Sequence, residues 1–202
     1  ATGRRPTPVQ SAEIAQKICA AISAAHAQGV IHRDIKPGNV MITRDGVIKV
    51  MDFGIARVLG PETAPQTSAV LGTASYLSPE QAQGGPVDAR TDIYSLGAVL
   101  YELLTARPPF TGDSPVEIAM KHLSWTPPPP SEVREGVPRE LDLVVMRALA
   151  KDPDDRYADA AEMDADLERI QRGLGVSDRT TDAATAVIAA PTLRVNSTPA
   201  SA

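Results

Sequence analysis

The chain has 202 residues, of which 43% are hydrophobic and 22% are charged, and this composition fits a globular protein of one or two small domains. The net charge of −5 argues against a nucleic-acid-binding surface, and no apolar run is long enough to span a bilayer. The single cysteine, Cys19, excludes an internal disulfide and a cysteine-based metal site, and it fits a reducing cytoplasm.

The first predicted element is a helix that begins after Thr7. Thr7 and Gln10 have the spacing of a capping box, and Pro8 lies in the first turn, where proline is tolerated. Apolar residues then recur at helical spacing as far as Ile22, and Gly29 is the expected end of the helix.

A short β-hairpin is predicted next. Residues 40–43 and 47–50 are two apolar runs on either side of a turn that contains Gly46. Two polar motifs flank the hairpin: His32-Arg33-Asp34-Ile35-Lys36-Pro37-Gly38-Asn39 before it and Asp52-Phe53-Gly54 after it. A carboxylate, a lysine, an amide and a second carboxylate are the groups that phosphoryl transfer needs.

The rest of the chain is predicted to be helical, apart from an irregular stretch over residues 55–90 that is either functional or disordered. Helices are expected over residues 92–104, 114–123, 139–150 and 158–172. After Gly173, the Ala, Thr, Ser and Pro content indicates a flexible tail.

Three further motifs follow in order, and together the motifs point to a family. They are Gly72-Thr73-Ala74-Ser75-Tyr76-Leu77-Ser78-Pro79-Glu80, Asp92-Ile93-Tyr94-Ser95-Leu96-Gly97 and Lys151-Asp152-Pro153-Asp154-Asp155-Arg156-Tyr157. With them, the chain resembles the C-terminal lobe of a bacterial eukaryotic-like (Hanks-type) serine/threonine protein kinase, and it is similar to the receptor-type members. The resemblance implies a mainly α fold with a short β-hairpin. The kinase C-lobe would cover residues 1–172, the N-lobe would be absent, and residues 173–202 would be a disordered, juxtamembrane-like tail.

The resemblance also implies the catalytic roles. Asp34 would be the catalytic base and Lys36 would contact the γ-phosphate of ATP, while Asn39 and Asp52 would bind Mg²⁺. The adenine pocket would be formed by Met41 and Met51, although a methionine in a strand is often plain core filler.

Regulatory roles follow in the same way. Arg33 would receive a phosphate on the activation loop, because a guanidinium offers paired donors. Thr67 is the favoured phosphate acceptor, with Thr63 and Ser68 as alternatives. Thr73 would hydrogen-bond beside the catalytic base and favour Ser/Thr substrates.

Three residues would have structural roles. Glu80 and Arg156 would form a buried ion pair that anchors the activation loop. Asp92 would hold the backbone of the catalytic loop, or cap the helix that it begins, or do both.

The three histidines are widely separated, so they do not suggest a metal site. We expect His32 to pack within its loop, His26 to lie in the core or at a helix end, and His122 to lie on the surface.

Before Asp34 the chain has Gly3 and Gly29 as its glycines and Lys17 as its lysine. It therefore lacks the Gly-rich loop and the strand lysine that a kinase N-lobe supplies. The resemblance implies an ATP- and Mg²⁺-dependent kinase that acts on protein Ser/Thr hydroxyls and is regulated by autophosphorylation. This chain alone is expected to be weak or inactive.

Two other functions stay open. One is a non-catalytic C-lobe module that binds substrates or another kinase, including a kinase homodimer. The other is a small-molecule phosphotransferase, which the long activation segment disfavours. We expect a cytoplasmic location, with the parent kinase anchored at the inner face of the plasma membrane and no membrane segment in this chain.

Overall fold

The computed structural model describes residues 5–53 and 72–190, together with the backbone of 193–194. Its main helices are α1 (Pro8–His26), α2 (Pro79–Ala82), α3 (Ala89–Thr105), α4 (Pro115–Ser124), α5 (Pro130–Val133), α6 (Arg139–Ala148), α7 (Ala160–Gln171) and α8 (Asp178–Ala189). Short 3₁₀ turns lie at Pro37–Asn39 and Pro153–Asp155. None of the helices in these ranges has the length and hydropathy required to cross a membrane.

In the part of the chain that the structure describes, two small sheets accompany the helices. Strands β1 (Val40–Ile42) and β2 (Ile48–Val50) form the predicted antiparallel hairpin, with Met41 opposite Lys49. Strand β3 (Trp125–Thr126) pairs in parallel with β4 (Leu193–Arg194). The mainly helical fold with one short hairpin is confirmed.

The core is built around α3, which packs on α1 and α6, while α7 packs on α1 and on α6. Because nearly every residue from Thr91 to Tyr101 is buried, α3 is enclosed on most sides. At Gly97 the helices come so close that a Cβ atom would lie 2.7 Å from the Cβ of Ala148. The loop over residues 32–39 is attached to this rigid centre through Asp92.

Helix starts follow local capping chemistry. At α1 the predicted capping box is present, with Gln10 N donating to Thr7 Oγ1 at 3.2 Å and Thr7 N donating to Gln10 Oε1 at 2.9 Å. Helix α3 begins earlier than predicted, because Asp88 is its N-cap and accepts from Arg90 N at 2.8 Å. The alternative that Asp92 caps this helix is therefore wrong; Asp92 lies in the first turn.

Helix α8 differs from the flexible tail that the composition predicted for this segment. Ser177 is its N-cap, and Thr180 and Ala184 are buried one turn apart on the face that packs against α6. Arg147 donates to Thr180 Oγ1 at 2.7 Å, and Ser177 N donates to the buried Asp166 at 2.8 Å. Small side chains that resemble a linker in sequence thus form a docked helix because tertiary contacts supply the stabilisation.

Cys19 lies on α1 and is completely buried. Burial, together with the nearby charge of Asp164, raises the pKa of its thiol far above the ordinary value. The thiol therefore serves as a small apolar group in the core.

Candidate active site

The loop over residues 32–39, which the sequence predicts to be the catalytic loop, lies between α1 and β1 and is held by Asp92. The Asp92 side chain is fully buried, and its two oxygens accept from His32 N and Arg33 N, each at 2.8 Å. His26 at the end of α1 places Nε2 2.8 Å from the same carboxylate. A buried helix thus fixes the loop backbone, in agreement with the contact expected of Asp92.

Two polar side chains of the loop, those of Lys36 and Asn39, converge on Asp34. Lys36 Nζ lies 2.7 Å from Asp34 Oδ2, and Asn39 Nδ2 donates to the same oxygen at 3.0 Å and to the Asp34 carbonyl at 2.8 Å. Lys36 also donates to Thr73 Oγ1 at 3.1 Å. About a fifth of the Asp34 side chain is exposed, so the carboxylate can reach a substrate hydroxyl.

The second carboxylate, Asp52, follows the hairpin. The residue before it is held against the loop, since Met51 N donates to Asn39 O at 2.8 Å and His32 Nε2 lies 2.9 Å from Met51 O. Asp52 has a left-handed backbone with φ of 56° and is exposed. These contacts hold the backbone immediately before Asp52 against the loop that contains Asn39.

Helix α2 is tied to the core by the expected ion pair. Arg156 is buried, and its two terminal nitrogens donate to the two oxygens of Glu80 at 2.9 Å each, while Thr91 donates to Glu80 at 2.7 Å. Burial opposes ionisation of Glu80, but the hydrogen bonds and charge of Arg156 outweigh it and hold the pKa of Glu80 below its ordinary value. The guanidinium also donates to the carbonyl of Ala150, so it is well satisfied.

A family model described as the protein kinase domain matches residues 4–166. The chain belongs to the protein kinase domain family. It is 56% identical over 167 residues to the serine/threonine-protein kinase PknB of Mycobacterium leprae. The aligned region covers 82% of this chain and 27% of that protein. It is 53% identical over 169 residues to the probable serine/threonine-protein kinase SCO3848 of Streptomyces coelicolor. Here the aligned region covers 83% of this chain and 25% of that protein. The chain thus spans about a quarter of the length of these relatives.

Protein kinases in general use ATP and a divalent metal. Within the described ranges, no three His, Cys, Asp or Glu side chains come together as a metal site. A kinase Mg²⁺ needs fewer protein ligands, because phosphates and waters complete its shell. The Asn39 amide nitrogen is bonded to Asp34, which leaves its oxygen for a cation, and Asp52 adds a carboxylate. Both are hard oxygen donors, so the residues fit the metal.

The two methionines expected in the adenine pocket are on the surface. Met41 and Met51 are 41% and 36% exposed, and Phe53 beside them is 37% exposed. The alternative that the two methionines are plain core filler is therefore wrong. Apolar side chains are thus exposed on the hairpin and just after it.

The structure describes only some of the predicted regulatory residues. Arg33 has an exposed side chain and a left-handed backbone with φ of 67°. Thr63, Thr67 and Ser68 lie outside the described residues. Thr73 is described, and it contacts Lys36 as expected of it.

His122 is not on the surface, so that expectation is wrong. It is fully buried, with Nδ1 2.8 Å from the Tyr94 hydroxyl and its ring centroid 4.8 Å from that of Phe110. Burial, and then the positive charge of Lys151, lowers the pKa of His122 to about 3. A lone histidine in a helix gives no sequence signal of burial, because its partners come from distant segments.

Gln81 is a further residue that the sequence motifs did not single out. Its Nε2 donates to the carbonyl of Arg33 at 2.7 Å, across 48 positions of sequence. The only signal in the sequence was the spacing of Ser78 and Gln81, which predicts a capping box and not a contact with the catalytic loop.

Proposed function

We propose that this chain supplies the catalytic base, metal ligands and substrate platform of a serine/threonine protein kinase, which transfers the γ-phosphate of ATP to Ser or Thr hydroxyls of proteins. The convergence of Lys36 and Asn39 on Asp34, at 2.7 Å and 3.0 Å, supports this assignment. A carboxylate held in this way can accept a hydrogen bond from a substrate hydroxyl and aim its oxygen at phosphorus.

Lys36 has the position to counter charge on the transferred group. It lies between Asp34 and Thr73, so its ammonium is oriented by two oxygens before a substrate arrives. A cation oriented in advance stabilises developing negative charge without reorganisation during the reaction. The Thr73 hydroxyl lies at the same point and favours small aliphatic hydroxyl substrates over tyrosine.

Asn39 and Asp52 are the proposed metal ligands, through the amide oxygen and the carboxylate. Mg²⁺·ATP, when bound, supplies the phosphoryl group and neutralises part of its charge. Met41 and Met51 would contact the adenine with their exposed side chains.

Regulation is proposed through Arg33. Its exposed guanidinium would pair with a phosphate placed on Thr67 by autophosphorylation, and charge-assisted hydrogen bonds would then order the activation loop. Phosphotransfer would occur in the cytoplasm, by a kinase anchored at the inner face of the plasma membrane.

The test of catalysis is Asp34→Asn, with Asp45→Asn in the exposed hairpin turn as the matched control. Because the chain spans about a quarter of its relatives, the residues that precede the matched segment in the Mycobacterium leprae relative are fused to it. Transfer of labelled phosphate from ATP should fall at least a hundredfold in Asp34→Asn and stay within twofold in Asp45→Asn. An Asp34→Asn protein that transfers phosphate at the unsubstituted rate would show that Asp34 is not the base.

A second candidate is a binding module that pairs with another kinase or with a second copy of the chain. Met41, Met51 and Phe53 are exposed, so water can reach the region where the nucleotide would bind. Water there would weaken the electrostatic stabilisation of the phosphates, which favours a binding role over catalysis. We expect the chain alone to bind Mg²⁺·ATP weakly and to transfer phosphate slowly. Micromolar affinity in a calorimetric titration would contradict this expectation.

A further inference from the structure

The peptide plane between Arg33 and Asp34 is held in an uncommon conformation. Arg33 has φ of 67°, a left-handed backbone that non-glycine residues adopt only when their surroundings impose it. Its N–H donates to Asp92 Oδ1 at 2.8 Å, and the next N–H, that of Asp34, donates to His32 Nδ1 at 3.2 Å. The carbonyl of Arg33 is the remaining polar group of this peptide plane.

Gln81 supplies the contact to that carbonyl. Its Nε2 donates to Arg33 O at 2.7 Å, and its Oε1 accepts from Ser78 N at 3.1 Å and from Ser78 Oγ at 3.2 Å. Because the Ser78 N–H can only donate and the Arg33 carbonyl can only accept, this network fixes which end of the Gln81 amide faces which partner. One side chain therefore joins the start of α2 to the catalytic loop.

Helix α2 is itself immobilised next to this contact. Glu80, the residue before Gln81, forms the two hydrogen bonds of 2.9 Å to the buried Arg156. Gln81 can therefore act as a fixed donor for the loop, in the way that supporting hydrogen bonds hold a catalytic group in place.

We propose that Gln81 is a positioning residue for phosphotransfer: its carboxamide holds the peptide plane before Asp34 and so transmits the placement of α2 to the catalytic base. This proposal rests on the proposed function only for the role of Asp34. Rotation of the peptide plane would swing the Asp34 side chain away from Lys36 and Asn39, and small displacements of a reacting group cause large losses of rate.

The test uses Gln81→Glu in the full chain, with Ser78→Ala as the matched control. Glutamate keeps an oxygen for the two Ser78 donors but cannot donate to the Arg33 carbonyl when ionised. Ser78→Ala removes the helix cap and one of the two donors to Gln81 Oε1, but it keeps the Ser78 N–H contact that orients the amide and leaves the Gln81 donor in place. Both variants are compared with the unsubstituted chain by amide hydrogen exchange in NMR and by thermal unfolding.

In Gln81→Glu, the amides of Arg33 and Asp34 should exchange at least tenfold faster and shift their resonances. In Ser78→Ala, both amides should stay within twofold while the melting temperature falls. The proposal is overturned if Gln81→Glu leaves the two amides unchanged, or if Ser78→Ala perturbs them equally.

Phosphotransfer gives a second readout with the same variants. Gln81→Glu should lower kcat about tenfold and leave the KM for ATP within twofold, whereas Ser78→Ala should keep kcat. An unchanged kcat in Gln81→Glu would also overturn the proposal. This assay uses the fused protein of the catalysis test. If the unsubstituted fused protein transfers no phosphate, it is the proposed function that fails, and hydrogen exchange still decides the role of Gln81.

Discussion

Arg156 holds Glu80 with two parallel hydrogen bonds of 2.9 Å, and the guanidinium is completely buried. Removing one partner of such a pair leaves a buried charge without compensation. Glu80→Ala should therefore lower the free energy of unfolding by about 3–5 kcal/mol, measured by denaturant titration.

The control for this pair is Glu168→Ala, which breaks the exposed pair between Glu168 and Arg172 and should cost less than about 1 kcal/mol. Equal losses in the two variants would contradict the anchoring role of Glu80. Because the folded-state pKa of Glu80 is lowered, its contribution is complete above the ordinary pKa of glutamate. It disappears as the pH falls through the lower pKa of the folded state.

His122 should make stability depend on pH below neutrality. The unfolded chain binds a proton at His122 below about pH 6.5, but the folded chain binds it only below about 3. The unfolded state therefore holds more protons in this window. As the pH is lowered, the free energy of unfolding decreases by at most about 1.4 kcal/mol per pH unit. His122→Gln should flatten the dependence between pH 6.5 and 5. Tyr94→Phe, which removes the hydrogen bond and keeps the imidazole, should retain it.

Lys151 should make the stability of the protein depend on pH above neutrality. Burial, and then the charge of Arg156, lowers the pKa of Lys151 to about 7, although its ammonium lies 4.9 Å from the centroid of the Phe110 ring. Between pH 7 and 9, below the ordinary pKa of the Cys19 thiol, the unfolded chain holds a proton on Lys151 that the folded chain has released, so stability should rise with pH. Lys151→Met should remove this rise in urea titrations. The exposed Lys17→Met is the control, and a rise that survives in Lys151→Met would refute the assignment.

Gly97 should tolerate no side chain. A Cβ at this position would lie 2.7 Å from the Cβ of Ala148, which is closer than two carbon atoms can approach. Gly97→Ala should therefore destabilise the chain by about 1–3 kcal/mol. Adding Ala148→Gly should recover part of this loss, since it removes the clashing atom. Independent, additive losses would show that the two helices can move apart.

Removal of α8 should leave charged groups unsatisfied in the core. Arg147 would lose its bond to Thr180, and Asp166, which is 2% exposed, would lose the N–H and hydroxyl of Ser177. Hydrogen bonds to charged groups contribute about 1.5–3 kcal/mol each, so a chain that ends at Gly175 should lose at least about 3 kcal/mol. A chain that ends at 194 is the control, and an equal loss in both would argue against docking of α8.

The polar centre of the site was accessible from the sequence because its parts are close along the chain. Asp34, Lys36 and Asn39 lie within six positions, so their contacts depend on one loop conformation. The Glu80–Arg156 contact crosses 76 positions, and it was expected only through the family resemblance.

The burial of His122 and of helix α8 was not evident from the sequence. His122 is a polar residue and α8 is a helix of mostly small residues. Both pack against elements that are distant along the chain. The same holds for Gln81, whose capping pattern was visible while its bond to Arg33 depended on how α2 meets the loop. Tertiary packing overrides local preference at these positions.

The buried thiol of Cys19 gives the protein a built-in reporter. Alkylating reagents need an accessible thiolate, and the enclosed side chain on α1 provides neither. Its rate of modification should therefore count the rare openings in which α1 separates from α3 and α7. Since the sequence has no other cysteine, that rate can rank the resistance of each variant to transient opening without any added dye or label.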